Sequence, residues 1–183
     1  MLLRLTAYAR NGEVAVTEIE RLTAIEDIKR LCAQRLRAMD QKDWSAYDTL
    51  HTPRAVLKSF GDGQANLLSL SQDGGQPTAV GKDAILKAIQ TLLDGPTKVT
   101  TVHHAHTPEI DVTSPTTATG IWAMEDWLWW TEGEAEHHLH GYGHYHETYE
   151  KIDGRWMIAS RTLTRLRVEE TPDFFRYLKS VAT

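Results

Sequence analysis

The chain has 183 residues, 41% of them hydrophobic and 25% charged, the make-up of a single globular domain with a substantial core. Twenty basic against 25 acidic residues give a net charge of −5, which argues against a nucleic-acid surface. No apolar run approaches the ~18 residues of a membrane span, the start Met1-Leu2-Leu3 lacks an apolar signal core, and the single Cys32 cannot form an internal disulfide, so a cytoplasmic protein is expected.

Residues 1–20 carry no sustained pattern and read as an N-terminal arm, with Asn11-Gly12 as a turn. A helix is predicted over 22–40. Ile25, Ile28, Leu31, Cys32, Leu36 and Met39 recur at helical spacing, Thr23 and Glu26 have capping-box spacing, and Arg35 borders the stripe. Asp43 reads as the N-cap of a short second helix that buries Trp44, with Tyr47 as a further candidate; Pro53 ends it and 55–60 form a strand. Residues 61–76, rich in Gly, Ser, Asn and Gln, read as an insertion or flap. A third helix follows Asp83, its expected cap, and stops at Gly95-Pro96. From Lys98 the pattern changes to four long strands, 98–112, 116–130, 134–152 and 155–168, with turns between them. Thr171-Pro172-Asp173 then opens a C-terminal helix. Helices first and a large sheet afterwards make an α+β domain.

Side chains alternate across a strand, so His103 points to one face while His104 and His106 point to the other. The same parity groups Trp122, Met124 and Asp126, a pocket wall with one carboxylate; the plainer reading pairs Asp126 with an arginine. A carboxylate beside a histidine fixes the ring tautomer and suits it to accept a proton near neutral pH. The repeated His-x-His pairs within 103–106, 137–140 and 144–146 offer a different chemistry, a Zn²⁺ or Fe²⁺ site on adjacent strands. Trp122, Trp127, Trp129, Trp130, Tyr142, Tyr145, Tyr149 and Trp156 divide between core, outer sheet face and the wall of a pocket for a flat apolar ligand. Arg161, Arg165 and Arg167 share one parity, which reads as a salt-bridged outer surface.

Four stretches together resemble the SnoaL-like family of the nuclear transport factor 2-like superfamily: RAMDQKDW (37–44), VHHAHTPEI (102–110), TATGIWAMEDWL (117–128) and GYGHYHETYEKIDGRWMIASRTLTRLR (141–167). The resemblance implies a cone-like roll, a strongly curved antiparallel or mixed sheet wrapped around N-terminal helices. Residues 1–20 would be the arm, 21–170 the SnoaL-like domain and 171–183 a C-terminal helix. The superfamily hosts dehydratases, isomerases, cyclases and non-enzymatic binders, so fold alone does not select among them.

Similarity to scytalone dehydratase and bile-acid 7α-dehydratase implies a catalytic set of Asp40, His103 and Asp126, with Trp44, Trp122, Tyr145 and Arg165 binding substrate and no metal or cofactor. Arg35 stands where those dehydratases carry a helix tyrosine. β-Elimination of water needs a base, an acid for the departing hydroxyl and a donor for the enolate oxygen. His103 would transfer the proton, Asp40 and Asp126 would orient it or share the acid–base work, and Tyr145 or Arg165 would polarise the carbonyl. The expected partner is a small cyclic or polycyclic hydrophobic molecule, bound by a homo-oligomer without nucleic acid or membrane. The alternative is a non-catalytic ligand binder, or an accessory subunit resembling ring-hydroxylating dioxygenase β-subunits.

Overall fold

The computed structural model describes residues 16–58 and 78–176. The Asn11-Gly12 turn, the flap at 61–76 and the C-terminal helix beyond Arg176 lie outside the described residues. The first helix, α1 (Glu18–Gln41), starts four residues before the predicted boundary, because the capping box is formed by Thr17 and Glu20 rather than Thr23 and Glu26. Its buried stripe contains Ile28, Leu31, Cys32, Leu36 and Met39, as the periodicity predicts, and also Arg35, fully inside. Burial pushes the Cys32 thiol up to about 11, so it stays protonated.

Asp43 caps α2 (Trp44–Asp48) by accepting from the Ala46 N–H at 3.0 Å, and the fully buried aromatic is Tyr47 rather than Trp44. Strand β1 (His51–Lys58) begins earlier than predicted and runs through Pro53. A register shift against its parallel neighbour between His51 and Val56 takes up the residue that cannot donate. The short β2 (Thr78–Val80) precedes α3 (Lys82–Asp94), whose N-cap is Gly81 with φ +91°; Asp83 lies in the first turn, near the positive end of the helix dipole, and is not the cap.

The four long strands are β3 (Thr100–Ser114), β4 (Thr117–Glu132), β5 (Ala135–Ile152) and β6 (Arg155–Glu170). They complete a curved, open six-stranded mixed sheet in the order β2-β1-β6-β5-β4-β3, with β1 parallel to β6 and every other pair antiparallel. The α+β class follows from the strict alternation on β4. Ala118, Trp122, Met124, Asp126, Leu128 and Trp130 are buried in the core with α1 and α3, while Ile121 is exposed on the other face.

Parity fails on β6, and there the arginine reading needs correction. Pairing with β5 skips Ala159, between Tyr149↔Ile158 and Thr148↔Ser160, and skips Leu166, between Gly143↔Arg165 and Tyr142↔Arg167. Each extra residue flips the strand. Trp156 and Ile158 therefore face the core before the first bulge, Arg161 and Arg165 face it after, and only Arg167 turns out, to Glu169.

Inside the concavity, Arg35 Nη2 lies 3.2 Å from Glu147 Oε1, with both side chains fully buried. Tyr149 donates to Glu147 Oε2 at 2.5 Å and accepts from Trp122 Nε1 at 2.8 Å. The Arg35 guanidinium sits 4.6 Å from the Tyr145 ring centre. A desolvated pair of this kind is costly to break but not to replace as a whole. Arg35→Met or Glu147→Leu alone is expected to lower unfolding free energy by about 3–5 kcal/mol, and the double replacement to recover most of that loss, as read from urea melts.

Candidate active site

Asp40 occupies the last turn of α1, where the negative end of the helix dipole disfavours a carboxylate, and no basic residue lies in that turn. Three donors from β3 hold it. The His103 ring gives its Nδ1 proton to Oδ1 at 2.6 Å, the His103 backbone N–H gives to Oδ2 at 3.0 Å, and Thr101 Oγ1 gives to Oδ1 at 2.9 Å. Lys42, in the left-handed region just past the helix, donates to Thr101 Oγ1 at 2.9 Å and so orients that hydroxyl toward Asp40. Burial alone would raise the Asp40 carboxyl; the bonds from His103 and Thr101 outweigh it and leave the group below its ordinary value. An ionised Asp40 accepting from Nδ1 fixes the tautomer that leaves His103 Nε2 as a lone-pair base.

The His103 side chain is only 7% exposed and stands where two spaces meet. Outward lies a groove of about 470 Å³ between α1 and β3, lined by Asp40, His103 and Trp122 among others. Inward lies a cavity of about 70 Å³, walled by Met39, Leu57, Ile89, Leu92, Leu93, Leu128 and Leu163, with polar groups His103, Asp126, Tyr145, Lys58, Arg161 and Arg165. At ~10–15 Å³ per water-sized group, the inner cavity holds about five to seven such groups, on the scale of one small ring.

Asp126 is directly opposite His103 in the β3–β4 register, and both line the inner cavity. Its two oxygens are taken by Arg165, with Nη1 to Oδ1 and Nη2 to Oδ2 both 2.6 Å, in a buried bidentate pair. Gly141, the β5 partner of Asp126, makes room for that pair: any Cβ there would overlap Arg165 Nη1 and crowd Asp126 Oδ1. Tyr145 stands on the same wall, its phenol pushed up to about 12 by burial, so it is a hydrogen-bond donor and not a base at neutral pH.

Asp40, His103, Asp126, Arg165 and Tyr145 are thus brought together. Trp44 and Trp122 are not on the inner cavity. Trp44 donates to Asp94 at 2.8 Å beside α3, and Trp122 belongs to the Tyr149–Glu147 network and the outer groove. The other histidines divide by parity. His104 and His140 both bond Glu125 at 3.1 Å on the opposite face, where His140 stacks on Trp127 at 3.4 Å. Among the described residues no three His, Cys, Asp or Glu side chains converge as metal ligands. Arg161, Arg35 and Glu147 were not predicted at the site. A helix-stripe arginine was the available signal for Arg35, whereas the β6 bulges that turn Arg161 inward leave no mark in the period.

The SnoaL-like domain profile matches residues 20–162, and the chain belongs to that family, within the nuclear transport factor 2-like superfamily. Solved structures share the fold at low identity. A putative scytalone dehydratase from Novosphingobium aromaticivorans DSM 12444 is 20% identical over 84% of this chain and 91% of its own, with a TM-score of 0.67. A hexachlorocyclohexane dehydrochlorinase, LinA-type3 from Novosphingobium barchaimii LL02, is 15% identical over 85% and 95%, with a TM-score of 0.66. ActVI-ORFA from Streptomyces coelicolor is 13% identical over 79% and 98%, with a TM-score of 0.59. Among the described residues no helix is long and apolar enough to cross a membrane.

Two outcomes follow from this geometry. Because Asp40 is depressed in the folded state, its contribution to stability is present above the ordinary carboxylate range and is lost as pH falls through the folded value. The melting-temperature gap between wild type and Asp40→Asn should therefore be widest near neutral pH and close below about pH 4. Gly141→Ala should cost about 3–5 kcal/mol in urea unfolding, because its methyl forces the buried Asp126–Arg165 pair apart.

Proposed function

We propose that this protein is a cofactor-free lyase or isomerase that moves a proton on a small cyclic, largely apolar substrate, by dehydration or a related enolisation. The observation that carries the proposal is the part-buried Asp40–His103 dyad, with His103 on the wall of a largely apolar cavity. His103 removes the proton α to a carbonyl, and Asp40 stabilises the imidazolium that results. Tyr145, held protonated by burial, donates to the oxygen that becomes an enolate. The returning imidazolium can protonate a departing hydroxyl on the β-carbon. The Asp126–Arg165 pair holds the wall rigid beside these groups. The activities named for the structural relatives, a dehydratase and a dehydrochlorinase, are eliminations and support this reaction class.

A homo-oligomer is proposed as the working form. The outer sheet face carries the stacked Trp127 and Trp129, 5.5 Å apart, with exposed Val102 opposite Trp127 and exposed Ile121 further along β4. Light scattering should then return a multiple of the 20.7 kDa chain. A cytoplasmic setting suits the buried, reduced Cys32.

Turnover of cyclic β-hydroxy ketones, followed by the absorbance of the conjugated product, tests the chemistry. Once a substrate is found, His103→Ala should lower kcat by on the order of 10²–10⁴. An alanine variant that keeps full turnover removes the acid–base role and leaves a ligand binder.

A further inference from the structure

The charges around the inner cavity do not balance. Its wall carries three cationic side chains, Lys58, Arg161 and Arg165, and one carboxylate, Asp126. Asp126 is fully engaged by Arg165, whose fork spans both carboxylate oxygens. Lys58 is exposed at the end of β1 and is solvated there. Arg161 is 94% buried, and among the described residues it takes part in no hydrogen bond or ion pair; its Nη1 is buried without a partner. Glu147 stands opposite it in the β5–β6 register, but one Glu147 oxygen faces Arg35 and the other accepts from Tyr149. The neighbouring His51 gives no compensating charge. Burial, with Arg161 and Arg35 nearby, pushes its ring down to about 3, so it is neutral.

A guanidinium largely withdrawn from water, with a buried nitrogen that has no acceptor, is costly for a core to hold. Arg161 would more cheaply be a methionine if its only task were to fill space, since the wall around it supplies Leu57 and Leu163. Its stem is instead anchored between β1 and β5, with Leu57 and Glu147 as register partners, and its guanidinium is held 5.7 Å from the Tyr145 ring centre. A planar fork in a mostly aliphatic cavity is suited to two oxygens of a carboxylate.

We propose that Arg161 is the anchor for a carboxylate on the substrate, so that the ligand class is a small ring acid and not a neutral ring compound. This rests on the reading of the cavity as the substrate site, but not on any proton being moved there. The ring would lie against Leu57, Leu128 and Leu163, its carboxylate on Arg161 and its reacting carbon toward His103. Arg161 acts here in binding, separately from the His103–Asp40 dyad and the structural Asp126–Arg165 pair.

The test is binding without turnover, so its failure leaves the acid–base proposal standing, and full turnover in His103→Ala, which removes the acid–base role, leaves this one standing. Benzoate and its neutral counterpart benzyl alcohol are titrated calorimetrically into the wild-type protein, into Arg161→Met and into Arg161→Lys. Benzoate is expected to bind the wild type on the order of 10- to 100-fold more tightly than benzyl alcohol, the range of a charge-assisted hydrogen-bonded contact. Arg161→Met should lose that preference while melting no lower than wild type without ligand, because it removes an unpaired buried charge. Arg161→Lys should keep a reduced preference. Equal binding of the two probes by the wild type overturns the proposal, as does a Met variant that keeps the benzoate preference. A Met variant that melts well below wild type without ligand assigns Arg161 a structural role and also overturns it. Should the Met variant fail to fold, the wild-type and Lys titrations decide.

Discussion

Asp40 sits where a helix least favours a carboxylate, and it stays because β3 offers it three hydrogen-bond donors. The same contact does two jobs. It fixes the end of α1 against the sheet, and it sets the tautomer of His103. Neither partner would serve alone. Without Asp40 the ring could donate or accept from either nitrogen, and without the ring the carboxylate would face the helix dipole with only Thr101 and one backbone amide. A local rule of helix design is broken at the point where chemistry is proposed, which is where such exceptions concentrate.

Behind that contact the interior of the cone is unusually ionic. Arg35 with Glu147 and Asp126 with Arg165 are both withdrawn from water. Pairs of this kind add little net stability over apolar replacements, but they fix geometry, because each fork admits one arrangement of its carboxylate. Gly141 shows how closely the backbone is fitted to one of them. The strands carrying these groups are therefore held in one register by charge as well as by the alternation of the sheet, and the cavity between them is preorganised.

Legibility in the sequence tracked the regularity of the backbone. On β3 and β4 the chain alternates without interruption over 100–105 and 117–132, so parity separated His103 from His104 and grouped Asp126 with Trp122 and Met124, and the family resemblance joined the two sets. On β6 two extra residues reset the count, and Arg161 and Arg165 ended inside where an outer salt-bridged surface was expected. Pro53 misled in a similar way, because a strand paired in parallel across a bulge can include a residue with no N–H to donate. Arg35 was visible as a charge beside an apolar stripe, but its partner lies 112 positions away on β5, and no local pattern connects them.

The division of labour among the cationic groups also bears on how the carbonyl of a substrate would be polarised. Arg165 and Tyr145 were equal candidates from the sequence. In the folded chain both Arg165 terminal nitrogens point at Asp126, and turning either toward a substrate would leave one buried carboxylate oxygen without its donor. Tyr145 makes no such sacrifice. Burial keeps its phenol protonated, and the nearby guanidiniums of Arg35 and Arg161 favour negative charge at its oxygen. A neutral donor whose acidity is tuned by cations behind its ring is well matched to an oxygen that gains charge only as the reaction proceeds. In the proposed mechanism the buried Arg35, at the position of the family's helix tyrosine, would act on Tyr145 through its charge and not by contact with the substrate.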